Sequence, residues 1–142
     1  MLCATVAAAD VLPAARAQRM VEQALSRHPE VAHVVMHVTP PHRPDSDNVI
    51  IASSIGRIGK RADDDDLRIM HSGVAETVIA RNGDRFNVSL PMLDRAGRTI
   101  GVLAVGFSYQ SGNDQQALQQ MAVRLRDELR RQIISASWLF SQ

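Results

Sequence analysis

Several residue types that support particular chemistries are scarce in this 142-residue chain. Its single cysteine, Cys3, lies at the very start, so the rest of the chain forms neither an internal disulfide nor a cysteine-based metal site. No apolar run approaches the roughly 18 to 20 residues that span a bilayer. The 16 basic and 15 acidic side chains nearly cancel, which removes the general electrostatic argument for a nucleic-acid partner.

Signatures of catalysis are absent as well. The sequence holds no glycine-rich phosphate loop, no Gly-x-Ser-x-Gly motif and no His-Glu-x-x-His motif. Its serines show no spacing to a histidine and an acid that sets a nucleophile apart from background. We therefore expect a protein that is not an enzyme, with no catalytic residues and no cofactor.

The length and the 45% apolar content suit one domain with a core of its own. We place this domain at residues 13–134, followed by an apolar tail at residues 135–142. Residues 1–12 contain a short apolar run that ends in small residues before Asp10, as the end of an export signal does. The expected location is then periplasmic or secreted. The alternative is a frayed, alanine-rich N-terminus.

Apolar spacing and capping residues predict three helices. Residues 13–28 repeat apolar positions at steps of three and four, and residues 114–134 do the same. The four aspartates at residues 63–66 predict the start of a short helix that ends near Gly73, because carboxylates accept the free N–H groups of a first turn.

Alternation and turn signals predict five strands, at residues 31–39, 48–53, 74–80, 86–93 and 99–109. In the first strand, Ala32, Val34, Met36 and Val38 should face the core, and Val31, His33, Val35, His37 and Thr39 should face away. The last strand is apolar on both faces and belongs in the middle of the sheet. Residues 55–62 fit no regular element. Hairpins between strands indicate an α+β fold with a mainly antiparallel five-stranded sheet, a long N-terminal helix, a short middle helix and a C-terminal helix.

This order of elements, with NVIIASSIGRIGKRADDDDLRIMHSG (residues 48–73) and SLPMLDRAGRTIGVLAVGF (residues 89–107), resembles the PAS-like extracytoplasmic sensor domains called Cache or PDC domains. The matching positions are Arg57, Ile58 and Gly59, the aspartates at 63–66, Gly73, Pro91, Asp94, Gly97, Ile100, Gly101, Val102 and Gly106. The resemblance implies a small carboxylate held between the sheet and the loop that carries the Arg-x-Gly element. Where relatives place a histidine shortly before the arginine, this chain has Ser53 and Ser54.

Basic and hydroxyl side chains cluster in that loop, and Ser53, Ser54, Arg57, Lys60 and Arg61 are our candidate ligand-binding residues. Guanidinium groups offer paired donors to a carboxylate, and glycines let backbone amides approach it. The alternative is that Arg57 and Arg61 pair with the aspartates at 63–66 and hold the loop in place.

His33 and His37 fall on one face of one strand, with His42 in the loop that follows. Four residues along a strand cover about 13 Å, too far for both imidazoles to bind one ion, so we assign no metal site. Both histidines join the candidate ligand-binding residues as donors to an acidic molecule. A metal or haem role for His33, His37, His42 or His71 is the weakest of three hypotheses.

The leading hypothesis is an exported sensor-type domain that binds a small anionic molecule, acting free-standing or through a membrane-protein signalling partner. The transmembrane helices and cytoplasmic output that flank such domains in sensor kinases do not occur in this chain. The alternative is a non-catalytic adaptor that binds a protein through its terminal helices. Surplus apolar surface on those helices predicts either a homodimer or a tail that folds back over an open sheet face.

Overall fold

The computed structural model describes residues 14–41, 48–80 and 82–141. Its helices are α1 (Ala15–Arg27), α2 (Asp64–Ser72) and α3 (Gln115–Arg130), followed by a 3₁₀ turn at Ser137–Phe140. Its strands are β1 (Val31–Val38), β2 (Val49–Ser53), β3 (Glu76–Ala80), β4 (Arg85–Leu93) and β5 (Thr99–Ser108). The export signal predicted for residues 1–12 lies outside the described residues.

The five strands form one sheet in the order β2-β1-β5-β4-β3, and every pair of neighbours is antiparallel. The α+β prediction is confirmed. The central position of β5 is confirmed too, and its physical reason is that a strand with apolar residues on both faces must be covered on both.

One face of the sheet carries the hydrophobic core. Helices α1 and α3 lie on this face and bury, among others, Val21 and Leu125 against Met36, Phe86 and Leu103. The segment after α3 joins the same core through Ile133 and Leu139, both fully buried. We predicted a helix as far as residue 134 and a separate tail, but α3 ends at Arg130 and the tail packs against α1.

A β-bulge near the start of β1 corrects the predicted faces of two residues. Val31 lies opposite Phe107 and His33 opposite Gly106, so Ala32 is an extra residue in the pairing with β5. As a result Val31 packs into the core, and Ala32 reaches the other face beside His33. The alternation that we predicted holds from Val34 onward.

Helix α2 begins and ends as the sequence predicts. The carboxylate of Asp63 accepts from the backbone N–H of Asp66 at 2.9 Å, and the carboxylate of Asp66 accepts from that of Asp63 at 3.1 Å. These two bonds form a capping box, which satisfies two free donors at once. Gly73 closes the helix in the left-handed conformation. Ile69, almost fully buried, anchors the helix, which contacts β4 and β5.

Residues 55–62, which fitted no regular element, form a tight turn that pairs with the outer edge of β2. The N–H of Lys60 donates to the carbonyl of Arg57, which closes the turn. The N–H of Gly59 then donates to the carbonyl of Ile50, and the N–H of Ile50 donates to the carbonyl of Lys60. Arg57 adopts a φ of 69°, a left-handed conformation that is uncommon for arginine. The basic loop is thereby fixed next to the sheet.

Candidate functional site

The face of the sheet opposite the core borders a cavity of about 710 Å³. All five strands contribute to its floor, and residues 55–66 form its side. The apolar lining residues are Ala32, Val35, Ile50, Ile55, Ala80 and Ala104. The polar ones are His33, His37, Arg57, Lys60, Asp63, Asp66, Arg85 and Asn87. A concave site of this volume with a few polar groups on apolar walls is typical of small-molecule pockets.

Four of the seven candidate residues from the sequence meet at this cavity, namely His33, His37, Arg57 and Lys60. Strand alternation explains the two histidines, and the tight turn explains the two basic residues of the loop. The other three candidates do not line the cavity. Arg61 forms an isolated bridge with Val49 on the edge of β2 and is exposed to solvent.

The two candidate serines use their polar groups inside the protein. The hydroxyl of Ser53 accepts from the N–H of Ile55 at 2.9 Å. The hydroxyl of Ser54 accepts from the N–H of Val34 at 3.0 Å, and the N–H of Ser54 donates to the carbonyl of Val34. These bonds fix the start of the loop against β1, so the serines position the site.

His37 and Asp66 lie against each other in the cavity, with Nε2 3.6 Å from Oδ2 and side chains only 11% and 15% exposed. Burial lowers the pKa of His37, and it outweighs the opposite effect of the Asp66 and Asp63 carboxylates. The imidazole is therefore neutral at neutral pH. Burial raises the pKa of Asp66, whereas the bond from the backbone N–H of Asp66 holds the pKa of Asp63 low.

Arg85 and Asn87 are the two polar lining residues on β4 that the sequence interpretation missed. Their signal was present, because Arg85 and Asn87 alternate with Phe86, Val88 and Leu90, which are all buried in the core. Alternation of that kind places the polar residues on the opposite face of the sheet. The sequence interpretation had instead placed the basic contacts in the loop that contains Arg57, Lys60 and Arg61.

Three of the residues that line this cavity each bury a side-chain atom that has no hydrogen-bond partner among the described residues. The atoms are Nδ1 of His37, Nε of Arg85 and Oδ1 of Asn87. Buried polar atoms in native proteins are normally hydrogen-bonded to protein or to water, and an unmet one costs about 1–3 kcal/mol. Their grouping at one cavity indicates partners that come from outside the described residues.

Gly106 shapes the floor of the cavity on β5. A Cβ atom at this position would overlap the imidazole of His33, which lies directly against the glycine. The absence of a side chain here is what gives His33 its place on the floor. The structure thus supplies a local reason for a glycine at position 106.

Two kinds of feature do not occur in the described ranges 14–41, 48–80 and 82–141. No group of three or more His, Cys, Asp or Glu side chains is arranged to hold a metal ion. No helix there has the length and apolar character to cross a membrane. Of the histidines in the metal hypothesis, His71 is an exposed residue of α2, and His42 lies outside the described residues.

Comparison with known proteins gives likeness of structure without likeness of sequence. No family model matches the chain, and no curated protein matches it. The repressor BlcR from Agobacterium tumefaciens is similar with a TM-score of 0.57 and 11% identity, over 85% of this chain and 68% of that one. An IclR transcriptional regulator from Alicyclobacillus acidocaldarius is similar with a TM-score of 0.53 and 10% identity, over 89% of this chain and 67% of that one.

A further solved structure is the PobR inducer-binding domain from Acinetobacter, a double mutant in complex with 3-hydroxybenzoic acid. The match spans 86% of this chain and 99% of the PobR domain, at 14% identity and with a TM-score of 0.49. At these identities the BlcR and IclR likenesses show a shared fold. The Cache resemblance stays a prediction.

Proposed function

We propose that this protein is a non-catalytic small-molecule-binding domain of the sensor or regulator type, and that its ligand is a small organic anion held in the cavity beneath residues 55–66. The observation that carries the proposal is the grouping of three unpartnered buried polar atoms, on His37, Arg85 and Asn87, at that one cavity. A ligand that supplies the missing partners would offset the cost of leaving them buried.

The lining chemistry supports binding of an anion. Arg57, Lys60 and Arg85 carry three positive charges, against two carboxylates on Asp63 and Asp66, with His37 neutral. Arginine presents paired donors that match the geometry of a carboxylate. The ligand-binding roles of His33, His37, Arg57 and Lys60 rest on this argument.

The same lining argues for binding over catalysis. His37 and Asp66 resemble the base and orienting acid of a hydrolase, but a nucleophile must lie within hydrogen-bond reach of the base. Of the described residues that line the cavity, none is Ser, Thr, Cys or Tyr. The fold shared with BlcR and the IclR regulator is compatible with a regulatory role, and export and a membrane-protein partner stay predictions from the sequence.

The test is a screen of the full chain by thermal shift and calorimetry, using aliphatic and aromatic carboxylates together with their neutral amides. A ligand that binds only the folded protein stabilises it by about 2.7 kcal/mol at 100 times its Kd. We expect carboxylates to raise the midpoint and amides to have no effect. Arg85→Gln should then weaken binding about 10-fold or more, since a hydrogen bond to a charged group contributes about 1.5–3 kcal/mol.

Two further variants separate binding from folding. Arg19→Gln changes an exposed arginine of α1, away from the cavity, and should leave the affinity unchanged. Asn87→Leu should raise the midpoint of the unliganded protein while it weakens binding, because it removes a buried polar atom without a partner. A silent panel, or equal losses of affinity in Arg19→Gln and Arg85→Gln, would overturn the proposal.

The adaptor hypothesis needed a filled pocket and exposed apolar residues in the C-terminal segment. The cavity is instead open, Leu139 is fully buried, and Trp138 is half-buried with the guanidinium of Arg16 4.4 Å from its ring centroid. Ile134, just after α3, is 50% exposed, but the pocket that the adaptor needed to be filled is open. The homodimer stays a prediction from the sequence.

A further inference from the structure

The two ends of the cavity differ in charge, and the register of the sheet shows how far apart they lie. His37 pairs with Val102, which pairs with Pro91. On β4, Asn87 lies four residues and Arg85 six residues from Pro91. At about 3.4 Å per residue these distances are about 14 and 20 Å along the strand. The cavity is therefore elongated, with His37 at one end and Arg85 at the other.

The carboxylates occupy only the end at His37. Asp66 lies 3.6 Å from the His37 imidazole, and Asp63 forms the capping box with Asp66. Lys60 pairs through its backbone with Ile50, which lies opposite His37, so this end holds two negative charges and one positive. The capping box uses Oδ1 of Asp63 and Oδ2 of Asp66, which holds both carboxylates at the start of α2.

The other end is basic. Arg85 and Asn87 lie there, and His33 is level with Asn87 because both residues pair with Gly106. No carboxylate lines this end, among the residues that the structure describes. Between the two ends the wall is apolar, formed by Val35, Ala104 and Ile55.

Each end also has a buried polar atom for which no hydrogen-bond partner occurs among the described residues. At the acidic end it is Nδ1 of His37, a residue only 8% exposed. At the basic end there are two, Nε of Arg85 and Oδ1 of Asn87. A ligand that reaches one end alone would leave the other end unsatisfied.

We propose that the ligand is dipolar: an elongated amino acid or similar molecule, with a carboxylate at Arg85, an apolar middle, and an ammonium group at Asp63 and Asp66. This inference rests on the proposed function, since it assigns a second contact to the same cavity. An ammonium group donates three hydrogen bonds and matches two carboxylates, whereas a second carboxylate there would face like charge.

Four ligands of equal chain length test the inference: hexanoate, ε-aminocaproate, adipate and hexylamine. Calorimetry with the full chain should show ε-aminocaproate binding about tenfold more tightly than hexanoate, as one charged hydrogen bond predicts. Adipate and hexylamine, which each mismatch one end, should bind more weakly than ε-aminocaproate.

Substitution of the carboxylates ties the preference to the acidic end. Asp66→Asn keeps an acceptor for the helix cap, so the variant should fold, and it should lose the preference for ε-aminocaproate while hexanoate affinity is retained. Asp65→Asn is the matched control, because Asp65 is exposed, bonds to Arg68 and does not line the cavity. Its preference should equal that of the wild type.

The outcomes separate the two proposals. Equal binding of hexanoate and ε-aminocaproate, or a preference that survives in Asp66→Asn, overturns the dipolar ligand and leaves the anion-binding function in place. Failure of all four ligands also overturns the dipolar ligand. Failure of the wider carboxylate panel overturns the function itself.

Discussion

At the scale of single residues, the site is defined by atoms that lack partners and by a glycine that makes room. His37, Arg85 and Asn87 each bury a polar atom that no described residue satisfies. Such atoms reduce the stability of the empty protein, and natural chains retain few of them. This loss of folding stability is expected under the proposed function, because residues that serve a ligand are not optimised for the stability of the unliganded protein.

The contact between Gly106 and His33 yields a prediction at this scale. Gly106→Ala should push the imidazole of His33 off the floor and destabilise the protein by about 1–3 kcal/mol, the usual cost of overpacking. The double variant Gly106→Ala/His33→Ala should recover most of that loss, because the clashing ring is gone. Denaturant unfolding of the two single variants and the double variant measures the coupling.

Gly101 provides the matched control for this cycle. A Cβ atom at Gly101 would overlap the backbone carbonyl of His37, which no side-chain truncation removes. Gly101→Ala should therefore be destabilising both alone and together with His37→Ala. If His33→Ala rescues Gly106→Ala no better than His37→Ala rescues Gly101→Ala, the ring contact is not what requires the glycine.

At the scale of elements, the turn between β4 and β5 is held by one buried carboxylate. Asp94 accepts hydrogen bonds from the N–H groups of Ala96 and Arg98, each at 2.9 Å, and from Nε of Arg98 at 2.8 Å. Burial by itself would raise the pKa of Asp94, but the bonds from the backbone and side chain of Arg98 and the backbone of Ala96 outweigh it. The pKa of Asp94 is thus below its ordinary value.

This lowered pKa predicts how stability depends on pH. The carboxylate stabilises the folded state fully above its unfolded pKa of about 3.9, and the contribution is lost as the pH falls through the lower folded pKa. Unfolding of the wild type should therefore show falling stability below about pH 4. Asp94→Asn should be less stable at neutral pH and should lose less on acidification.

The control is Asp84→Asn, a change at an exposed aspartate just before β4. It should leave both the neutral stability and the pH profile close to those of the wild type. Parallel pH profiles of the wild type and Asp94→Asn would show that this carboxylate does not hold the turn in solution.

At the scale of the whole molecule, the sheet divides the protein into a structural face and a binding face. Helices α1 and α3 and the tail bury the core on one side, while the cavity occupies the other. This division lets the binding face carry unsatisfied groups, because the core on the opposite face supplies the stability.

The tail is part of the structural face, which gives a prediction about the whole fold. Leu139 is fully buried in the core, and Leu139→Ala should destabilise the protein by about 2–5 kcal/mol. Ile134 is 50% exposed, so Ile134→Ala should change stability by no more than about 0.5 kcal/mol. Equal effects of the two changes in thermal unfolding would mean that the tail does not pack as described.

The sequence by itself determined the elements, their order and the central position of β5, because apolar period, capping residues and turn residues act over a few neighbouring positions. It also identified His33, His37, Arg57 and Lys60, whose types and spacing carry their own signal. It misplaced Val31 and Ala32, since a bulge depends on the partner strand.

Only the tertiary structure decided which polar groups meet. Arg85 and Asn87 come from β4, and they reach the cavity because β4 pairs with β5 and β5 pairs with β1. Ser53 and Ser54 carry suitable hydroxyls, but both hydroxyls accept hydrogen bonds from backbone N–H groups. A binding site needs groups brought together across long stretches of chain. Turn residues predict the hairpin of β4 and β5, but no local pattern predicts that β5 pairs with β1. The charge difference between the two ends of the cavity follows from strand register together with the position of α2, which begins with Asp63 and Asp66.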